Sequence, residues 1–92
     1  DTGAVNVRKL AVALCHGGAD VNEVKSVLET FMQLYGIEYS LKNSSHPSLI
    51  KGRCGDIFIG NKKVGIIGEI DPAVLRNWSL ENPVAVFEMI VE

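Results

Sequence analysis

Residues 54–72 read Cys-Gly-Asp-Ile-Phe-Ile-Gly-Asn-Lys-Lys-Val-Gly-Ile-Ile-Gly-Glu-Ile-Asp-Pro, and they carry the clearest secondary-structure signal in the chain. Two β-rich runs, 54–59 and 63–70, lie on either side of the turn-forming residues 60–62. A glycine and an asparagine between two such runs favour a turn with positive φ. The stretch therefore predicts an antiparallel hairpin.

A short helix is predicted directly after the hairpin. Asp71 suits the capping position, since its side chain can accept from a free amide of the first turn, and Pro72 suits the first helical position. Val74, Leu75 and Trp78 then place one apolar side on this helix.

A strand and a longer helix are predicted upstream. Residues 7–15 are apolar with little alternation, as in a strand that is covered on both faces inside a sheet. Asp20 and Glu23 form a capping-box pattern at a helix start, and Gly36 is a natural stop. The face predicted to pack consists of Val21, Val24, Leu28, Phe31 and Tyr35.

The remaining segments complete the predicted order. Residues 37–41 alternate as in a half-buried strand, residues 43–52 collect turn formers, and residues 84–91 are apolar on both faces apart from one glutamate. The order is strand, helix, strand, hairpin, short helix, strand. At 92 residues and 47% hydrophobic content, residues 1–92 are expected to form one domain.

The net charge of −2 conceals a basic middle segment. Residues 42–63 hold five basic side chains against Asp56, a net charge of +4. Because only one aromatic is interleaved, this is a weak nucleic-acid signature, and solvated lysines are the favoured explanation. The longest apolar run, residues 10–15, is far short of the ~20 residues that span a bilayer. Candidate partner contacts are Lys51, Arg53, Lys62 and Lys63.

The two cysteines give no sign of a disulfide framework or a metal site. Cys15 and Cys54 lie far apart without a CxxC pair, which favours a reducing cytoplasm and makes zinc ligation unexpected. Cys15 is expected to be buried as a small hydrophobe. Cys54 with His46 lacks a third orienting group for nucleophilic catalysis.

Two glycines and several charged residues near the hairpin have structural explanations. Gly65 and Gly68 lie within a strand, where glycine marks close packing, and Trp78 from the short helix is the expected neighbour. Arg53 and Asp56 are expected to form a local ion pair or to meet a partner. A general acid/base role for a carboxylate would need convergent geometry that spacing does not show.

Residues 46–59, from His-Pro-Ser-Leu-Ile-Lys-Gly-Arg onward, together with residues 62–72 resemble phenylalanyl-tRNA synthetase β subunits of the archaeal and eukaryotic type. The family has a His-Pro element before Gly-Arg, then Gly-x-x-Gly-Glu, and a closing strand like Pro-Val-Ala-Val-Phe-Glu at residues 83–88. The likeness extends over essentially the whole chain. Asp71 departs from the family, which usually has histidine there.

The resemblance implies an α+β fold, mainly an antiparallel sheet with helices on it, in the C-terminal part of a catalytic-like module related to class II synthetases. It implies that this portion is not catalytic and holds no cofactor, whereas ATP and Mg²⁺ act with the α subunit in a cytoplasmic heterotetramer. Arg8, Arg53 and Arg76 stand in none of the ATP-binding contexts of class II enzymes. Because the chain opens with Asp1, we expect it to be a fragment. The resemblance implies that its partners are the α subunit and the rest of the β subunit, and that tRNA binds elsewhere. A free-standing module that binds RNA or protein through residues 42–63 is the alternative.

Overall fold

A computed structural model describes residues 8–91 as one five-stranded antiparallel sheet with two helices, which confirms an α+β fold. The strands lie in the order β1-β5-β4-β3-β2. The strands and helices follow one another along the chain in the predicted order. They are β1 (Arg8–Cys15), α1 (Val21–Leu34), β2 (Ser40–Asn43), β3 (Leu49–Ile59), β4 (Lys62–Ile70), α2 (Pro72–Asn77) and β5 (Val84–Val91).

The β3–β4 hairpin has the predicted turn, in which Gly60 adopts a φ of 63°. Its first strand is longer than the sequence indicated, because β3 already begins at Leu49, and β2 continues to Asn43. The loop predicted at residues 43–52 is therefore confined to 44–48. A bulge at Ile57/Phe58 adds one residue to β4, which raises the local twist.

Helix α1 begins at a capped turn and ends at a left-handed glycine. Asp20 Oδ1 accepts from the amide of Glu23 at 2.8 Å, as the capping pattern predicted. A full capping box would also have the Glu23 carboxylate accept from the backbone amide of Asp20. That part of the prediction is wrong, because the Glu23 carboxylate lies 2.6 Å from His16 Nε2 instead. At the other end Gly36 has a φ of 64°, and the amide of Ile37 donates to the carbonyl of Met32 at 2.9 Å.

The core lies between α1 and one face of the sheet. Tyr35, predicted to pack there, is 69% exposed. It is the C-cap residue of α1, and its backbone no longer has α-helical φ and ψ angles. Met32 is buried on the inward side of the helix, and the periodicity had not singled it out. The buried cluster is Val24, Leu28, Met32, Ile57, Ile67, Ala85, Phe87 and Met89.

Strand β1 lies at the edge of the sheet and not inside it, so that prediction is wrong for residues 8–15; Val7 lies outside the described residues. Its neighbour within residues 8–91 is β5. Ala11 and Ala13 point away from α1 and are exposed, and so is Cys15, which was expected to be buried. Neither helix of the described chain has the length and apolar character that crossing a membrane requires.

Candidate functional site

Glu69 is the buried charged side chain among the described residues, and it ties β4 to the start of α1. With 5% of its surface exposed, its Oε2 accepts from the amide of Val21 at 2.8 Å. Val21 is the first helical residue, whose amide has no partner within its own helix. The carboxylate therefore satisfies a free donor and lies at the positive end of the helix dipole.

Arg53 completes this contact from the neighbouring strand. Its Nη1 donates to Glu69 Oε1 at 3.1 Å, whereas its guanidinium side chain stays 60% exposed. The predicted local pair with Asp56 is wrong. Residues three apart in a strand point to opposite faces, so Arg53 faces the Glu69 side of the sheet and Asp56 the other. The exposed part of Arg53 remains a predicted partner contact.

Asp56 anchors the loop 44–48 to the sheet. Its Oδ1 lies 3.1 Å from His46 Nε2 and 3.2 Å from Lys63 Nζ. Burial by itself raises the pKa of Asp56, but the hydrogen bonds from His46 and Lys63 outweigh it, so the pKa lies below its ordinary value of 3.8. Asp56 is thus held as a carboxylate between two donors.

The basic segment is partly neutralised by the fold. Lys63 meets Asp56, and Lys42 Nζ lies 4.6 Å from the centre of the Phe58 ring, a cation–π distance. Lys51 and Lys62 are exposed on the same two-strand region. Of the candidate contacts, Arg53 and Lys63 are therefore held by carboxylates of the chain itself, which lowers the positive charge that a phosphate backbone would meet.

Gly65 and Gly68 are sites of close packing between strands. A Cβ on Gly65 would collide with the carbonyl of Glu88 and lie 2.7 Å from Met89 Cα. One on Gly68 would lie 2.7 Å from Cys54 Cβ. The expectation that Trp78 rests on these glycines is wrong: Trp78 is the C-cap of α2 and is 74% exposed.

The other polar side chains also hold the fold together. Asp71 Oδ1 accepts from the amide of Ala73 at 2.8 Å, and Pro72 is the first helical residue, as expected. The buried Cys54 donates to the carbonyl of Ser44, whereas His46 faces Asp56, so the two do not form a nucleophile and base pair. Within residues 8–91, no three His, Cys, Asp or Glu side chains converge as metal ligands would.

Tyr39, directly before β2, forms a polar link to α1 that the sequence pattern did not indicate. Its hydroxyl donates to Glu29 Oε1 at 2.8 Å. Burial and, second, the hydrogen bond to Glu29 raise the pKa of Tyr39 to about 12. No local signal pairs these two residues, just as none pairs Glu69 with Val21, because each link depends on the tertiary fold.

Residues 8–91 thus form an α+β fold in which a buried carboxylate and capping side chains stabilise the sheet and the helix ends. Residues 1–91 match the family model described as the phenylalanyl tRNA synthetase beta chain CLM domain. The chain belongs to this family.

Curated relatives support the same assignment. The phenylalanine–tRNA ligase beta subunit of Thermococcus kodakarensis is 47% identical over 91 residues, which cover 99% of this chain and 16% of the relative. The corresponding subunit of Methanocella arvoryzae is 45% identical over 91 residues, covering 97% of this chain and 16% of the relative. That of Pyrococcus furiosus is 42% identical over 92 residues, covering 100% and 16%. The chain thus spans about one sixth of the length of these relatives.

Proposed function

We propose that this chain is a non-catalytic portion of a phenylalanine–tRNA ligase β subunit, in the C-terminal part of a class II-like, catalytic-like module, and that it helps to hold the α and β subunits together. The observation that carries the proposal is the family match over residues 1–91. In this proposal the α subunit, with ATP and Mg²⁺, attaches phenylalanine to tRNA. The 92 residues supply a rigid sheet.

The site geometry supports a structural role. The carboxylates that lie nearest to one another in sequence, Glu69 and Asp71, each accept from a backbone amide at a helix start. Arg53 is engaged by Glu69, and Arg76 lies exposed in the last turn of α2. A triphosphate needs charge-assisted contacts from arginines that point to one place, whereas Arg53 is paired with Glu69 on the sheet and Arg76 lies on α2.

The test uses the full-length β subunit that contains this chain, co-expressed with its α subunit. Ile67→Asp places a charge in the core and should reduce both the recovery of the α–β complex and aminoacylation of tRNA. Asp71→Asn keeps a capping side chain, so phenylalanine-dependent ATP–pyrophosphate exchange should be unchanged. Loss of exchange in Asp71→Asn with an intact complex would contradict the proposal, as would exchange by the purified 92-residue chain.

An RNA- or protein-binding module acting through residues 42–63 is the competing hypothesis. Phosphate contacts by several lysines would make RNA affinity fall steeply with rising salt. The exposed Lys51 offers the simplest probe, because neutralising it in Lys51→Gln should then weaken RNA binding at low salt. Our proposal expects no salt-dependent RNA binding by this chain.

A further inference from the structure

The sheet has a second, partly uncovered apolar face opposite α1, which we call the open face. Side chains alternate along a strand, so the neighbours of the core residues Phe87 and Met89 point away from the helix. On this face Ala11 and Ala13 are exposed and Ile90 is 39% exposed. A shallow groove of about 230 Å³ crosses it, lined by Lys9, Lys63, Val64, Ile66, Glu88 and Ile90.

Glu88 is the unusual member of the open face. It lies directly between Ala11 on β1 and Ile66 on β4, so its cross-strand neighbours are apolar on both sides. Its carboxylate has no hydrogen-bond or ion-pair partner among the side chains of residues 9–90. The other carboxylate near the groove, Asp56, is already bound by His46 and Lys63. Glu88 is thus an unpaired carboxylate with apolar cross-strand neighbours, and neither of the lysines that line the groove, Lys9 and Lys63, forms an ion pair with it.

The exposed apolar side chains and the Glu88 carboxylate together indicate which kind of molecule can bind the open face. Burying the apolar side chains would also remove water from Glu88, which is costly unless a cation pairs with it. A nucleic acid would bring phosphates towards a carboxylate and is disfavoured. The complementary surface is polypeptide with apolar side chains around one lysine or arginine.

The β subunit itself is the favoured source of such a segment, an argument that rests on the proposed function. The match covers 16% of the Thermococcus kodakarensis subunit, which leaves 84% of that chain outside it. A tethered segment acts at an effective concentration in the mM range, so a shallow groove is sufficient to hold it. We infer that the open face packs against a segment of the β subunit outside these 92 residues, which brings one basic side chain to Glu88.

Site-specific photo-cross-linking in the co-expressed α–β complex tests this inference. The photoreactive residue p-benzoylphenylalanine replaces Ala13 on the open face or, as the matched control, the exposed Thr30 on α1. We expect the Ala13 position, and not the Thr30 position, to cross-link to a peptide of the same β chain that contains lysine or arginine. A cross-link to the α subunit, to a second β copy or to RNA would overturn the inference, and so would none.

Charge reversal tests the role of Glu88 separately. Glu88→Lys should lower the yield of that cross-link roughly tenfold or more, since it replaces an attraction with a like-charge contact. Glu81→Lys, on the exposed loop before β5, should leave the yield unchanged. Changing the basic residue of the cross-linked peptide to glutamate should restore the yield in Glu88→Lys. An unchanged yield in Glu88→Lys, or no restoration, overturns the inference. Neither outcome affects the proposed function if α and β still co-purify.

Discussion

Replacing Glu69 with alanine is the sharpest test of how this fold is held together. The change removes the acceptor of the Val21 amide at 2.8 Å, a charge-assisted hydrogen bond of about 1.5–3 kcal/mol. It also removes the pair with Arg53, which contributes only about 0.2–1 kcal/mol because the guanidinium is largely exposed. We therefore expect Glu69→Ala to lower the free energy of unfolding of the 92-residue chain by about 2–4 kcal/mol.

Urea unfolding followed by circular dichroism measures this loss, and two variants calibrate it. Glu69→Gln keeps an oxygen for the Val21 amide without the charge, so its loss should be smaller. Glu38→Ala removes an exposed glutamate and should change stability by no more than about 0.5 kcal/mol. Hydrogen exchange at Val21 should be faster in Glu69→Ala. A loss below about 0.5 kcal/mol in Glu69→Ala would refute the reasoning.

Three further outcomes are expected. Gly65→Ala should destabilise the chain by about 1–3 kcal/mol or more in the same unfolding assay, because its Cβ meets the Glu88 carbonyl, whereas Gly17→Ala, with no atom within 4 Å, should not. Because the pKa of Asp56 is lower in the folded chain, its carboxylate adds stability above the unfolded pKa of 3.8, and this stability is lost as pH falls through the folded pKa. Asp56→Asn should therefore make the free energy of unfolding less dependent on acidic pH. An unchanged pH profile in this variant would contradict the argument. Ultraviolet titration should show Tyr39 ionising near 12, and Glu29→Gln should lower that pKa only in part, because burial is the larger cause; a full return to 10.0 would argue against burial.

Local signals made the hairpin and the helix starts predictable. The turn at Gly60 and the caps Asp20 and Asp71 each depend on residues within a few positions, and all three lie where the sequence indicated. Their physical cause is short-range: a positive φ or a free amide in a first turn.

Long-range pairing determined what the sequence could not predict. An apolar run such as residues 10–15 suits a central strand and an edge strand alike, so the edge position of β1 depends on which strands pair beside it. Likewise Arg53 meets Glu69 on the adjacent strand, 16 positions away, whereas its sequence neighbour Asp56 lies on the opposite face. Spacing along the chain gave the wrong partner because the sheet sets which side chains face each other.

The pairing of β1 with β5 also constrains how the sheet forms during synthesis. Arg8 lies opposite Val91 and Cys15 opposite Val84, so the first described strand acquires its neighbour only after the last has emerged from the ribosome. At about 5–20 residues per second, the roughly 70 intervening residues take about 4–14 s to make. During that interval the apolar β1 has no strand beside it from this sheet, so the nascent chain should be a client for chaperones that shield exposed strands.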